Sequence, residues 1–104
     1  MDLVRQGDIL FLEKNSIHVL VLSRDFFNKS GLTVVCPVKK EAFKDALHIT
    51  VETPVFKGTA LLEHIKSIDL QARFCEKITS IPFEQIQNIS DAVQSIFEYY
   101  PFSL

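Results

Sequence analysis

Acid–base and anion chemistry need few residue types, and this sequence offers them at a handful of positions. Lys39-Lys40 is a doublet of cations able to neutralise an anion. Glu63-His64 sets a carboxylate, a base when ionised, beside an imidazole, an acid when protonated. His18 carries an imidazole, a side-chain type able to exchange protons. Each has a plainer reading. His18 alternates with Leu20 and Leu22, as a core or rim histidine would. His48 reads as an exposed strand residue, and a lysine doublet is commonly a solvated turn. On strand alternation Glu63 and His64 point to opposite faces, so they are not expected to act as a pair. Cys36 and Cys75 sit singly inside apolar stretches, the pattern of buried thiols rather than of a disulfide frame or a metal site.

The elements that must position these residues are short. Asp8–Glu13 reads as a strand entered through Gly7, and its two faces are both apolar. Lys14-Asn15-Ser16 is a polar turn into a second strand, Ile17–Ser23, which makes a hairpin. Arg24–Gly31 is a loop with one helical turn around Asp25–Asn28. Leu32–Val38 is a third strand. Leu47–Glu52 alternates apolar and polar residues, as a half-exposed strand does. Thr59–Ile68 and Ala72–Ile78 each hold one strand more. After Pro82 the period changes: Phe83, Ile86, Ile89, Val93, Ile96 or Phe97, and Tyr100 recur at helical spacing until Pro101. Strands followed by one amphipathic helix predict an α+β domain, mainly β, built as a small barrel with a helix packed on it.

At 104 residues the chain fits one domain, 1–104, with one core. No apolar run approaches the roughly 20 residues of a membrane span. The Met1–Arg5 start has no apolar leader, so the expectation is cytoplasmic, without a membrane. The net charge of −2 gives no global basic footprint, so any nucleic-acid surface must be local.

Several stretches, in chain order, resemble the MazF/PemK (Kid) toxins of type II toxin–antitoxin systems. They are Gln6-Gly7-Asp8-Ile9-Leu10, then Val19–Ser23, then Gly31–Val38. The most specific is Glu63–Arg73, similar to the family's (Asp/Glu)-Gln-x-(Lys/Arg)-(Ser/Thr)-Ile-Asp-x-x-Ala-Arg segment. The resemblance implies an SH3-like barrel with a C-terminal helix (the CcdB/MazF-like fold), a homodimer, a cognate antitoxin, and cleavage of single-stranded mRNA with no metal or other cofactor. It implies attack of a 2′-hydroxyl on the adjacent phosphate, which needs a base, a cation and an acid.

The sequence departs from that family where its chemistry is usually held. The long loop ending in Arg-Pro before the second strand is absent, and Ile17-His18 fill those positions. The threonine after the third strand is Lys39. Glu63 fills an acidic position used as a base in the PemK branch, with Leu61 where an arginine would precede it. The candidate catalytic residues are therefore His18, Lys39 and Glu63, and the candidate RNA contacts Lys14, Lys40 and Lys66. An active ribonuclease predicts that His18, Lys39 and Lys40 converge on one face. Alternatives are an inactive binding module for antitoxin or RNA, or one forming mixed dimers, and a gyrase-directed toxin acting through its C-terminus. Lys66 and Arg73 have structural readings, Arg73 as an ion-pair partner of Asp69 or Glu76. The aromatic cluster Phe97, Tyr99, Tyr100 and Phe102 reads as helix packing.

Overall fold

Gly7, at φ 92°, turns the incoming chain into the first strand, β1 (Asp8–Leu12). A Cβ at Gly7 would lie 2.5 Å from the Ile86 side chain, so the glycine also lets the C-terminal helix close on the strand. The computed structural model describes residues 4–41, 45–70 and 75–97. Glu13–Ser16 closes the first hairpin, with Ser16 at φ 51° and its N–H donating to the Glu13 carbonyl. Then follow β2 (Ile17–Val21), a single helical turn α1 (Asp25–Asn28) and β3 (Leu32–Lys39). β4 (His48–Thr53) and β5 (Phe56–Leu61) form a second hairpin. A 3-10 turn, Leu62–His64, leads into β6 (Lys66–Asp69). β7 (Cys75–Ser80) and α2 (Phe83–Phe97) complete the described chain.

All the strands pair antiparallel, in the order β4-β5-β3-β2-β1-β7, with β6 also paired to β3. β3 is long enough to serve two neighbours on one edge. β6 takes its first half, Leu32–Val35, and β5 its end, Val38–Lys39. The result is a curled sheet with a C-terminal helix, α+β and mainly β, as the sequence predicts. Curling buries both faces, which explains the doubly apolar β1. One face carries Ile9, Leu20, Cys36, Val38 and Ala60, covered by Ile86, Ile89 and Val93 of α2. The other carries Leu10, Leu12, Val19, Val21 and Val35, covered by Ile68 and Leu70.

One expected strand is two. Thr59–Ile68 breaks at the 3-10 turn because Leu62 is driven into the core (0% exposed), its N–H donating to the Leu47 carbonyl. The chain must also leave the end of β3 to reach its first half. The last strand begins at Cys75 rather than Ala72, and residues 71–74 lie outside the described ones, Arg73 among them. Tyr99, Tyr100, Phe102 and Pro101–Leu104 also lie outside. Phe83 and Phe97, counted on the apolar helix face, are exposed. Among the described residues no helix is long and apolar enough to cross a membrane.

Asp8 is the one buried carboxylate among the described residues (2% exposed), and it is fully engaged. The Ser80 hydroxyl donates to Oδ1 at 2.6 Å and the Arg5 N–H to Oδ2 at 2.9 Å. Lys77 Nζ stands 3.4 Å from Oδ1. A charge so paired ties β1 to β7 and to the incoming chain without an unsatisfied group.

Candidate active site

The ends of four strands meet around an open hollow of about 560 Å³. Ile17 from β2, Pro37 and Lys39 from β3, and Leu61 from β5 form its floor. Glu63 and His64 from the 3-10 turn and Lys66 from β6 form its rim. Alternation places Ile17, Pro37 and Lys39 on one sheet face. The 3-10 turn does the rest. With Leu62 anchored inward, the two residues after it are both turned out to solvent and both reach the hollow. The expectation that Glu63 and His64 face opposite ways is therefore corrected, because they are not on a strand.

Two further expectations change. His18 does not join Lys39. It is paired to Val38, one residue along β3, so it lies on the opposite face. There its ring is held between Phe11 and Phe56, with ring centroids 5.0 and 4.9 Å away. Neither Lys40 nor Lys14, both exposed, lines the hollow. The predicted convergence of His18, Lys39 and Lys40 is absent; Lys39, Glu63 and Lys66 converge instead, with His64.

His48 is more than an exposed strand residue. It opens β4 directly opposite Leu61, and its Nε2 lies 2.5 Å from Glu63 Oε2. Its Nδ1 stands 3.8 Å from Asp45 Oδ2. Asp45 is fixed in turn by the Leu47 and His48 N–H groups, which donate to Oδ1 at 2.8 and 3.1 Å. The hydrogen bond from His48 holds the Glu63 carboxyl below its ordinary range, with help from its own backbone and from the charges of His48 and His64; partial desolvation works against them. Across the sheet, burial and the Glu63 charge push the Cys36 thiol up to about 12, so it stays neutral. The sequence held one clue to His48, its outward phase between Leu47 and Ile49. Its partner depends on the β4–β5 register, which is not local information.

Residues 6–97 match the family described as PemK-like, MazF-like toxin of type II toxin–antitoxin system. The chain belongs to that family. The toxin's fold agrees with solved relatives. The MazE–MazF complex from Deinococcus radiodurans matches with a TM-score of 0.83 at 23% identity, covering 93% of this chain and 98% of that one. MazF from the same organism matches at 0.80 and 21%, covering 93% and 98%. An endoribonuclease in complex with its cognate antitoxin, from a mycobacterial species, matches at 0.80 and 10%, covering 94% and 99%. Identities this low speak for the fold alone. No protein of curated function matches the toxin in sequence.

Proposed function

We propose that this toxin is a metal-independent endoribonuclease acting on single-stranded RNA, with its chemistry relocated to Lys39, Glu63 and His64. The observation that carries the reading is that one hollow gathers a cation, a carboxylate and an imidazole, with Lys66 at its edge. In the reaction, Glu63 takes the proton of a 2′-hydroxyl, whose oxygen attacks the neighbouring phosphorus. Lys39 and Lys66 face the charge that grows on the phosphate oxygens. The bond to the 5′-oxygen breaks as protonated His64 gives that oxygen a proton. The products are a 2′,3′-cyclic phosphate and a 5′-hydroxyl end. His18, held between two tilted phenylalanine rings on the other face, has no part in this scheme. We also propose that the domain, 1–104, works in the cytoplasm as a homodimer held in check by a cognate antitoxin, as solved relatives are found with theirs.

The test is incubation of purified protein with a long unstructured RNA in EDTA, with products mapped by primer extension. Discrete cuts are expected, and Lys39→Ala should slow them by roughly 10²–10³-fold, the usual effect of removing one preorganised charge-stabilising group. Intact RNA with folded protein at high concentration overturns the reading. It would favour instead a module that binds without cutting. One observation supports that second reading: Ile17, an apolar residue, lines the hollow, and only the Glu13–Ser16 turn stands beside it.

A further inference from the structure

The proposed base does not stand alone on its turn. Glu63 is exposed, on a three-residue 3-10 segment, and its side chain would be free to swing between rotamers without a partner. Its partner comes from 15 residues earlier in the chain, across the β4–β5 register. His48 is much less exposed than Glu63, its side chain at 17% against 38%. Asp45 stands behind the imidazole on the side away from Glu63. The chain of contacts therefore runs from two backbone N–H groups to Asp45, from Asp45 to His48, and from His48 to Glu63. A general base oriented by a second group, itself oriented by a third, is the arrangement by which active sites fix a proton acceptor in place.

We propose that His48, backed by Asp45, is a positioning residue that clamps the Glu63 carboxylate and presents it to the hollow. The proposal rests on the ribonuclease reading for its purpose, but the clamp itself is separately measurable. Geometry argues for it over a chance surface pair. Exposed ion pairs are commonly loose. This one has a largely covered imidazole with Asp45 standing behind it. The ionisable groups around it from neighbouring elements are few among the described residues: Asp45 before β4, Glu63 and His64 on the turn, Lys39 at the end of β3, Lys66 at the start of β6, and Cys36 within β3. Of these, Cys36 stays neutral over the working range.

Substitution separates orientation from charge. His48→Ala removes the clamp. His48→Gln keeps an amide N–H near the place of Nε2 but carries no charge. The first measurement needs no RNA: the Glu63 carboxyl is titrated by carbon-detected NMR in wild type, His48→Ala and His48→Gln. Expected is a Glu63 midpoint below the ordinary range in wild type, rising in His48→Ala, with a smaller rise in His48→Gln. An unchanged Glu63 titration in a folded His48→Ala protein overturns the proposal. The second measurement is the pH profile of cleavage. His48→Ala should lose roughly tenfold to a hundredfold in kcat, the order expected for a misplaced group. KM should be little changed, the acid limb should move up with Glu63, and His48→Gln should recover part of the rate. A rate loss in His48→Ala that sits wholly in KM, with an unmoved acid limb, also overturns it. Wild-type protein that cuts no RNA defeats the ribonuclease reading instead, and leaves the clamp to be decided by the NMR titration.

Discussion

Two carboxylates in this molecule each sit against a basic side chain, and they are held in opposite ways. Asp8 is buried, receives hydrogen bonds from Ser80 and the Arg5 N–H, and forms an ion pair with Lys77. Glu63 is exposed, and its carboxylate is held by His48 with help from its own backbone. The first arrangement turns both carboxylate oxygens to joining segments of the fold. The second fixes a carboxylate in place while leaving it beside an open hollow. An acidic residue with a basic one next to it is thus closed off or left accessible according to how many partners surround it.

Substitution can break that contrast from either side. The largest effect expected is on rate. Glu63→Ala should lower RNA cleavage by roughly 10²–10⁴-fold, the worth of a general base, while barely moving the unfolding midpoint. Leu62→Ala should damage both properties. It removes the fully buried anchor of the turn, at about 2–5 kcal/mol by denaturant unfolding, and frees Glu63 and His64 from their common face. Asp8→Ala should destabilise by about 3 kcal/mol, since it strands the donors that Asp8 now satisfies. If Asp8→Ala instead unfolds at the wild-type midpoint, the contrast fails on the structural side. A smaller effect concerns pH. Because the Glu63 pKa is lowered on folding, its favourable contribution is whole above its ordinary pKa and is lost as pH falls through the lowered value. The difference in midpoint between wild type and Glu63→Gln should therefore shrink only under acid conditions. The smallest effect is expected from His18→Phe, which keeps a ring between Phe11 and Phe56. Cleavage at the wild-type rate sharpens the contrast, and a large loss would restore His18 to the chemistry.

Strand periodicity carried most of the fold. β1, β2, β3 and β4 lie within two residues of the expected spans, and the single helical turn falls on Asp25–Asn28. α2 begins one residue after Pro82, as its period predicts. Those features are local, set by alternation, turn residues and helical spacing. The site was legible only in part. Lys39, Glu63 and Lys66 were named from sequence and do share one hollow. What sequence could not supply was pairing. His18 is one residue out of phase with Lys39, which only the β2–β3 register reveals. Glu63 and His64 changed faces because a buried leucine turned a strand into a 3-10 segment. His48 gained its meaning from the residue that β5 brings to lie opposite it.

β3 is hemmed in by three strands, with β2 along one edge and β5 and β6 sharing the other. Fraying of any single neighbour still leaves the strand held by the others. Hydrogen exchange at Val35, Cys36 and Val38 should therefore be slower than in the outermost strands, which open through cheaper local motions. Lys39 is the last residue of that strand. The cation proposed to meet phosphate thus follows directly on Val38, a residue paired on both edges, and its backbone inherits that anchorage.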